Sequence, residues 1–154
     1  MTQAVVAGAI AVAALNLLAG LLGAWLWYDG GPGERAAGAF WLLLRAGQGS
    51  ALVLALAVGS LAAAGNYSTD HLFYLYALLP LAIGLVAEQL RVASAQTILD
   101  QRGLDDAQAV GALPEHEQRG VVIEIVRREI GVMALSAFVV VFLALRAAGT
   151  AHGF

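Results

Sequence analysis

Four apolar stretches separated by polar ones give the chain its pattern. From Ala4 to Tyr28 there is no charge and a single strongly polar residue, Asn16. A second uncharged run covers Ala46–Gly65, a third starts near His71 and stays apolar to about Ala87, and a fourth runs from Ile130 to Arg146. A helix rising about 1.5 Å per residue needs roughly 20 residues to cross about 30 Å of hydrocarbon, so each run suits one span. Spans are predicted at about 4–28, 46–65, 71–90 and 129–148. The first run is longer than a cleavable signal core, lacks basic residues at its start and ends in Trp25, Leu26, Trp27 and Tyr28, an interfacial aromatic belt.

The polar punctuation places the turns. Asp29-Gly-Gly-Pro-Gly-Glu-Arg35 breaks the first helix. Residues 36–45 either extend the second helix or form an interfacial segment anchored by Phe40 and Trp41. Gly65–His71 is a short connection in which Ser68, Thr69 or Asp70 caps the third helix, whose belt is Phe73, Tyr74 and Tyr76. Asn66-Tyr67-Ser68 matches a glycosylation sequon, which we read as chance. Pro80 removes one backbone hydrogen bond and is expected to kink the third helix near Tyr76.

The decisive stretch is Pro80–Gly103. It begins as lipid-like sequence and continues, without a break, into Glu88, Gln89, Arg91, Asp100, Gln101 and Arg102. The fourth helix mirrors it: Arg119, Glu124, Arg127, Arg128 and Glu129 precede its apolar part. Both helices therefore outrun the bilayer at the same end. The expected fold is an all-α, four-span bundle in one membrane domain (1–154), with the charged segment of about 88–129 projecting as a helical hairpin. Within it, Leu104–Leu113 reads as a short helix capped by Asp105, and Pro114, Glu115 and Glu117 suit the start of the last helix.

Composition agrees. The chain is 60% hydrophobic and 12% charged, with a mean hydropathy of +0.79, against about 25% charged residues in soluble domains. All basic residues are Arg, and Arg35, Arg45, Arg91, Arg102, Arg119, Arg127 and Arg128 fall on the hairpin side, leaving Arg146 on the other. By the positive-inside rule the hairpin is cytoplasmic and both termini lie outside, in a multi-pass protein of the cell membrane. The net charge of −3 gives no reason to expect nucleic acid. The absence of Cys excludes thiolate chemistry and disulfides.

Candidate chemistry is sparse. Small-residue stripes at spacings of three and four can be drawn on every helix: Ala9, Ala13, Asn16, Gly20 and Ala24; Arg45, Gln48, Leu52, Ala55, Gly59 and Ala62; Ala77, Pro80, Gly84, Glu88, Arg91 and Ala95; Glu124, Arg128, Gly131 and Leu135. If these face inward, Arg45, Gln48, Glu88, Arg91, Glu124 and Arg128 meet near the cytoplasmic boundary, and Arg45 pairs with Glu88 or Glu124. The plainer reading is that they form ordinary boundary ion pairs, each worth about 0–1 kcal/mol. Asn16, inside a span, is expected to make an interhelical hydrogen bond. His71 with Asp70, Tyr74 and Tyr76 supports a quinone or metal contact only weakly, since capping and belt roles account for them. Glu115-His116-Glu117 points its side chains about 100° apart and cannot converge on one ion.

No cofactor or metal site and no catalytic spacing is recognised. The expectation is a small, non-enzymatic accessory, scaffold or assembly subunit whose partners are the bilayer and other membrane subunits or its own copies. The alternatives are an oligomeric channel or transporter lined by Asn16, Arg45, Gln48 and Glu88, and a redox or quinone-linked membrane protein.

Overall fold

The computed structural model describes residues 2–29 and 33–152. Among these, the chain is all-helical: α1 Thr2–Asp29, α2 Glu34–Ala63, α3 His71–Gln101, α4 Ala107–Gly111 and α5 Glu115–Thr150. Each of the four long helices is long and apolar enough to cross a membrane. The turn expected over 29–35 falls largely on residues 30–32, outside the described residues. Residues 36–45 belong to α2 without interruption, so the extension is the alternative realised.

Local chemistry explains the boundaries. Both α2 and α3 stop at a glycine in left-handed conformation, Gly65 (φ +83°) and Gly103 (φ +67°), where a Cβ would be strained. After α2, Asn66 N–H donates to Leu61 O and Gly65 N–H to Ala62 O; after α3, Leu104 N–H donates to Leu99 O and Gly103 N–H to Asp100 O. These are paired Schellman closures, which satisfy carbonyls that the helix ends leave free. Asp70 caps α3 by accepting from Leu72 N–H at 2.9 Å. The short helix is capped by Asp106, which accepts from Ala109 N–H at 2.8 Å, one residue later than the expected Asp105. Pro114 immediately precedes α5, with Glu115 and Glu117 in the first turn. α3 continues through Pro80.

The long helices pack in the cyclic order α1, α2, α3, α5, with α1 against α5 closest and α2 against α3 loosest. Small residues permit the close approaches: Ala9, Ala13, Ala19 and Gly20 on α1 and Ala134, Ala137, Ala144 and Ala147 on α5 are buried. A Cβ on Gly23 would stand 2.5 Å from the Phe40 ring and 2.8 Å from Ala134 Cβ, and one on Gly131 would meet Trp27 at 2.8 Å. Two apolar clusters result. One gathers Val5, Val12, Leu54, Val58, Phe73 and Val140, and the other Leu26, Phe40, Leu44, Ile130 and Met133. Large apolar side chains such as Leu42, Leu85 and Phe142 remain exposed (73%, 70% and 74%) on the outer faces, a pattern compatible with helices that are apolar enough to cross a membrane.

Not every stripe drawn from the sequence faces inward. That of α1 does, apart from the half-buried Ala24. On α2 the buried face is Phe40, Leu44, Gly47, Ala51, Leu54 and Val58, while Leu52 and Gly59 are exposed. On α5 it is Val121, Ile130, Met133, Ala134, Ala137 and Val140, while Glu124, Arg128 and Leu135 are exposed. In both helices the rotation follows the bulkier residues that fill the space between helices.

At the end of the molecule holding residues 64–70, the connection is fastened to the end of α5. His152 O accepts from Thr69 N–H and Ser68 Oγ, each at 3.0 Å. Ser68 N–H in turn donates to the Tyr74 hydroxyl at 2.9 Å. Arg146 lies 5.4 Å over the Tyr76 ring.

Candidate functional site

The opposite end carries the charges. Two turns of α2 present Trp41, Arg45 and Gln48 at spacings of four and three, on a common face. Facing it, α3 presents Glu88 and Arg91, and α5 brings Glu129. Arg45 Nη1 donates to Glu88 Oε1 at 2.5 Å and to Gln48 Oε1 at 2.6 Å. Gln48 Nε2 reaches the same Glu88 oxygen at 3.5 Å. The second carboxylate oxygen of Glu88 accepts from Arg91 Nε at 3.0 Å, and Arg91 Nη1 continues to Glu129 Oε2 at 3.5 Å. Both guanidinium groups lie over the Trp41 ring, at 6.0 and 5.5 Å, a cation–π arrangement.

α1 joins through a separate contact. Arg127 Nε donates to Trp27 O at 2.9 Å, and its guanidinium lies 5.6 Å over the Trp27 ring. This supplies a donor and a positive charge to the carbonyl end of α1, where the helix dipole favours both. A girdle of charged and polar contacts thus ties α1 to α5 and joins α2, α3 and α5. Its main chain, Arg45–Glu88–Arg91–Glu129, alternates in sign and balances to zero.

Four of the residues singled out in the sequence, Arg45, Gln48, Glu88 and Arg91, come together here, and Arg45 takes Glu88 as its partner. Glu124 and Arg128 do not join them. Glu124 pairs with Arg102 at 2.6 Å, farther along the extension, and Arg128 is exposed with no ion pair among the described residues. Trp41, Arg127 and Glu129 are the girdle members that sequence reasoning missed. The signal for Trp41 was present, since it stands four residues before Arg45. Those for Arg127 and Glu129 required knowing which face of α5 turns inward.

Below the Arg45–Glu88 bridge, the loose α2/α3 contact leaves a crevice of about 450 Å³. Asn16, Leu44, Gly47, Gln48, Pro80, Gly84, Glu88, Ser136 and Val140 line it, with Leu52 and Leu85 at its exposed rim. Asn16 is 2% exposed and lies against the backbone of Gly47, where a Cβ would stand 2.8 Å from its amide nitrogen. Its Nδ2 donates to Val12 O, one turn back on α1, at 2.9 Å. The expected hydrogen bond between helices is thus replaced by one within α1. The four residues anticipated for a path, Asn16, Arg45, Gln48 and Glu88, all line this one crevice.

No family model, curated protein or solved structure matches the chain. The functional reading therefore rests on geometry. His71 is exposed, and Tyr74 is engaged with Ser68 in holding the connection. Among the described residues, no three His, Asp or Glu side chains gather as a metal site would need.

Proposed function

We propose that the protein is a non-enzymatic membrane subunit: a four-span bundle of the cell membrane, with both termini outside and the hairpin of residues 88–129 held in the cytoplasm as a surface for a partner subunit or a second copy. The observation that carries this reading is the girdle. Its ion pairs are spent on tying helices together where the apolar part of each helix gives way to charge, and they clamp the base of the hairpin to α2. The tip is fixed as well, by Arg102–Glu124 and by Gln118 Nε2, which donates to Leu113 O at 2.7 Å and Gly111 O at 3.0 Å. A rigid projection with Val92, Val122 and Ile123 left exposed (61%, 51% and 49%) suits docking, because apolar side chains beyond the hydrocarbon gain from being covered.

The test is photo-crosslinking in native membranes from Val92 and Val122, each replaced by a photoreactive phenylalanine. A discrete adduct of constant mass is expected from at least one site and none from a lipid-facing control at Phe142. A chain that stays monomeric and yields no adduct from either hairpin position refutes the proposal.

The crevice favours a second reading, a small transporter or channel, because it places Asn16, Arg45, Gln48 and Glu88 in one space open to the side. Flux in liposomes that Glu88→Gln alters without changing the oligomer supports it. Background flux together with dissociation of the assembly supports the subunit.

A further inference from the structure

We infer that the crevice between α2 and α3 binds one single-tailed lipid with an uncharged, hydroxyl-bearing head, entering sideways from the bilayer. This rests on neither account of the protein's role given above. The volume, about 450 Å³, is in the range of ligand pockets, and the walls have their composition: apolar side chains with a few polar groups at defined points. From Pro80 to Glu88 the crevice runs eight residues along α3, about 12 Å. Its rim residues Leu52 and Leu85 are exposed on adjacent helices, so the opening faces acyl chains rather than water. A tail that leaves between them remains in the bilayer.

The head is specified by what the crevice leaves unmet. The Asn16 amide is fixed in orientation, since only its NH₂ can face the Val12 carbonyl. Its Oδ1 accepts no hydrogen bond from the described residues, although the side chain is almost wholly buried. Every fully enclosed side-chain nitrogen and oxygen among the described residues has a partner, so this oxygen is one that a molecule in the crevice can reach. A plain acyl chain would strand it in a dry site, whereas a hydroxyl donates to it. At the girdle end of the crevice, Gln48 Nε2 makes only the long 3.5 Å contact to Glu88 and is placed to donate to a second head oxygen. Charge decides the rest: Glu88 and Glu129 already balance Arg45 and Arg91, so no net charge is left for an anionic or cationic head to neutralise.

The protein purified in detergent is titrated, under native mass spectrometry, with monoolein, with methyl oleate (the same tail without a hydroxyl donor) and with oleoyl lysophosphatidate. One monoolein per chain is expected, bound about tenfold more tightly than methyl oleate, the ratio that one net hydrogen bond of ordinary strength gives. Asn16→Leu should erase that ratio. Gly84→Phe should abolish uptake of both lipids, because a side chain there enters open space, with no atom within 4 Å of its Cβ position; Gly49→Leu, also unobstructed, serves if the first plug fails to fold. Equal affinity for monoolein and methyl oleate, uptake that survives both plugs, or preference for lysophosphatidate would each overturn the inference, and the first and third can be read on the unmodified protein.

Discussion

Glu88→Gln is the most informative single change, because it keeps the side chain's shape while removing the one anion that two cations share. The carboxylate receives Arg45 Nη1 at 2.5 Å and Arg91 Nε at 3.0 Å. An amide offers one acceptor and turns an N–H toward the other guanidinium. The two arms are not equal. Arg45 is 52% exposed, so its arm counts as a surface pair of about 0–1 kcal/mol. Arg91 and Glu88 are 28% and 25% exposed, and a hydrogen bond between charged groups so placed contributes about 1–2 kcal/mol. The sum is about 1–3 kcal/mol, which for a chain of this length lowers Tm by about 2–12 °C. Thermal unfolding in detergent measures the loss, and a double-mutant cycle with Arg91→Gln isolates the stronger arm, with a coupling of about 1–2 kcal/mol. A Tm unchanged within about 1 °C, or a coupling below about 0.3 kcal/mol, would show that the girdle is a set of solvated charges and would remove the support for the proposed scaffold.

Two further outcomes follow from packing and topology. Gly23→Ala must move the Phe40 ring or separate α1 from α5 and should cost about 1–3 kcal/mol, whereas Gly59→Ala, with nothing within 4 Å of its Cβ position, should be neutral or slightly stabilising in thermal unfolding; similar Tm values for the two would refute the close-approach argument. With no native Cys, single cysteines report orientation directly: Asp105→Cys should react with an impermeant maleimide only after the cytoplasmic face is opened, and Tyr67→Cys in intact cells, and the reverse pattern would invert the proposed topology.

How much was legible in the sequence depends on where polar residues supply contrast. The ends of α2 and α3 could be read because Gly65, Asp70 and Gly103 have strong local chemistry, and the partner of Arg45 could be narrowed to Glu88 or Glu124 because each stands where its helix exchanges charge for apolar sequence, but not decided between them. The rotation of α5 could not. A helix that is apolar on all sides lets a three-and-four stripe be drawn through Gly131 and Leu135 as readily as through Ile130, Ala134 and Ala137, and lipid offers no polar reference to choose between them. Ring size decides instead: Trp27 settles over Gly131 and Phe40 against Gly23. That rotation carries Glu124 and Arg128 away from the site and brings Glu129 and Arg127 into it. Asp106 took the cap expected of Asp105 because cap identity turns on a single residue of register.

The fastening of residues 68–69 to His152 O imposes an order of events. While the chain is being made, Thr69 N–H and the Ser68 hydroxyl emerge more than eighty positions before their acceptor. Until residue 152 is made, these donors lack the acceptor they use in the folded chain, and water takes its place. The end of α5 then supplies the acceptor that fastens the 64–70 connection, so this end of the bundle closes only once α5 has docked.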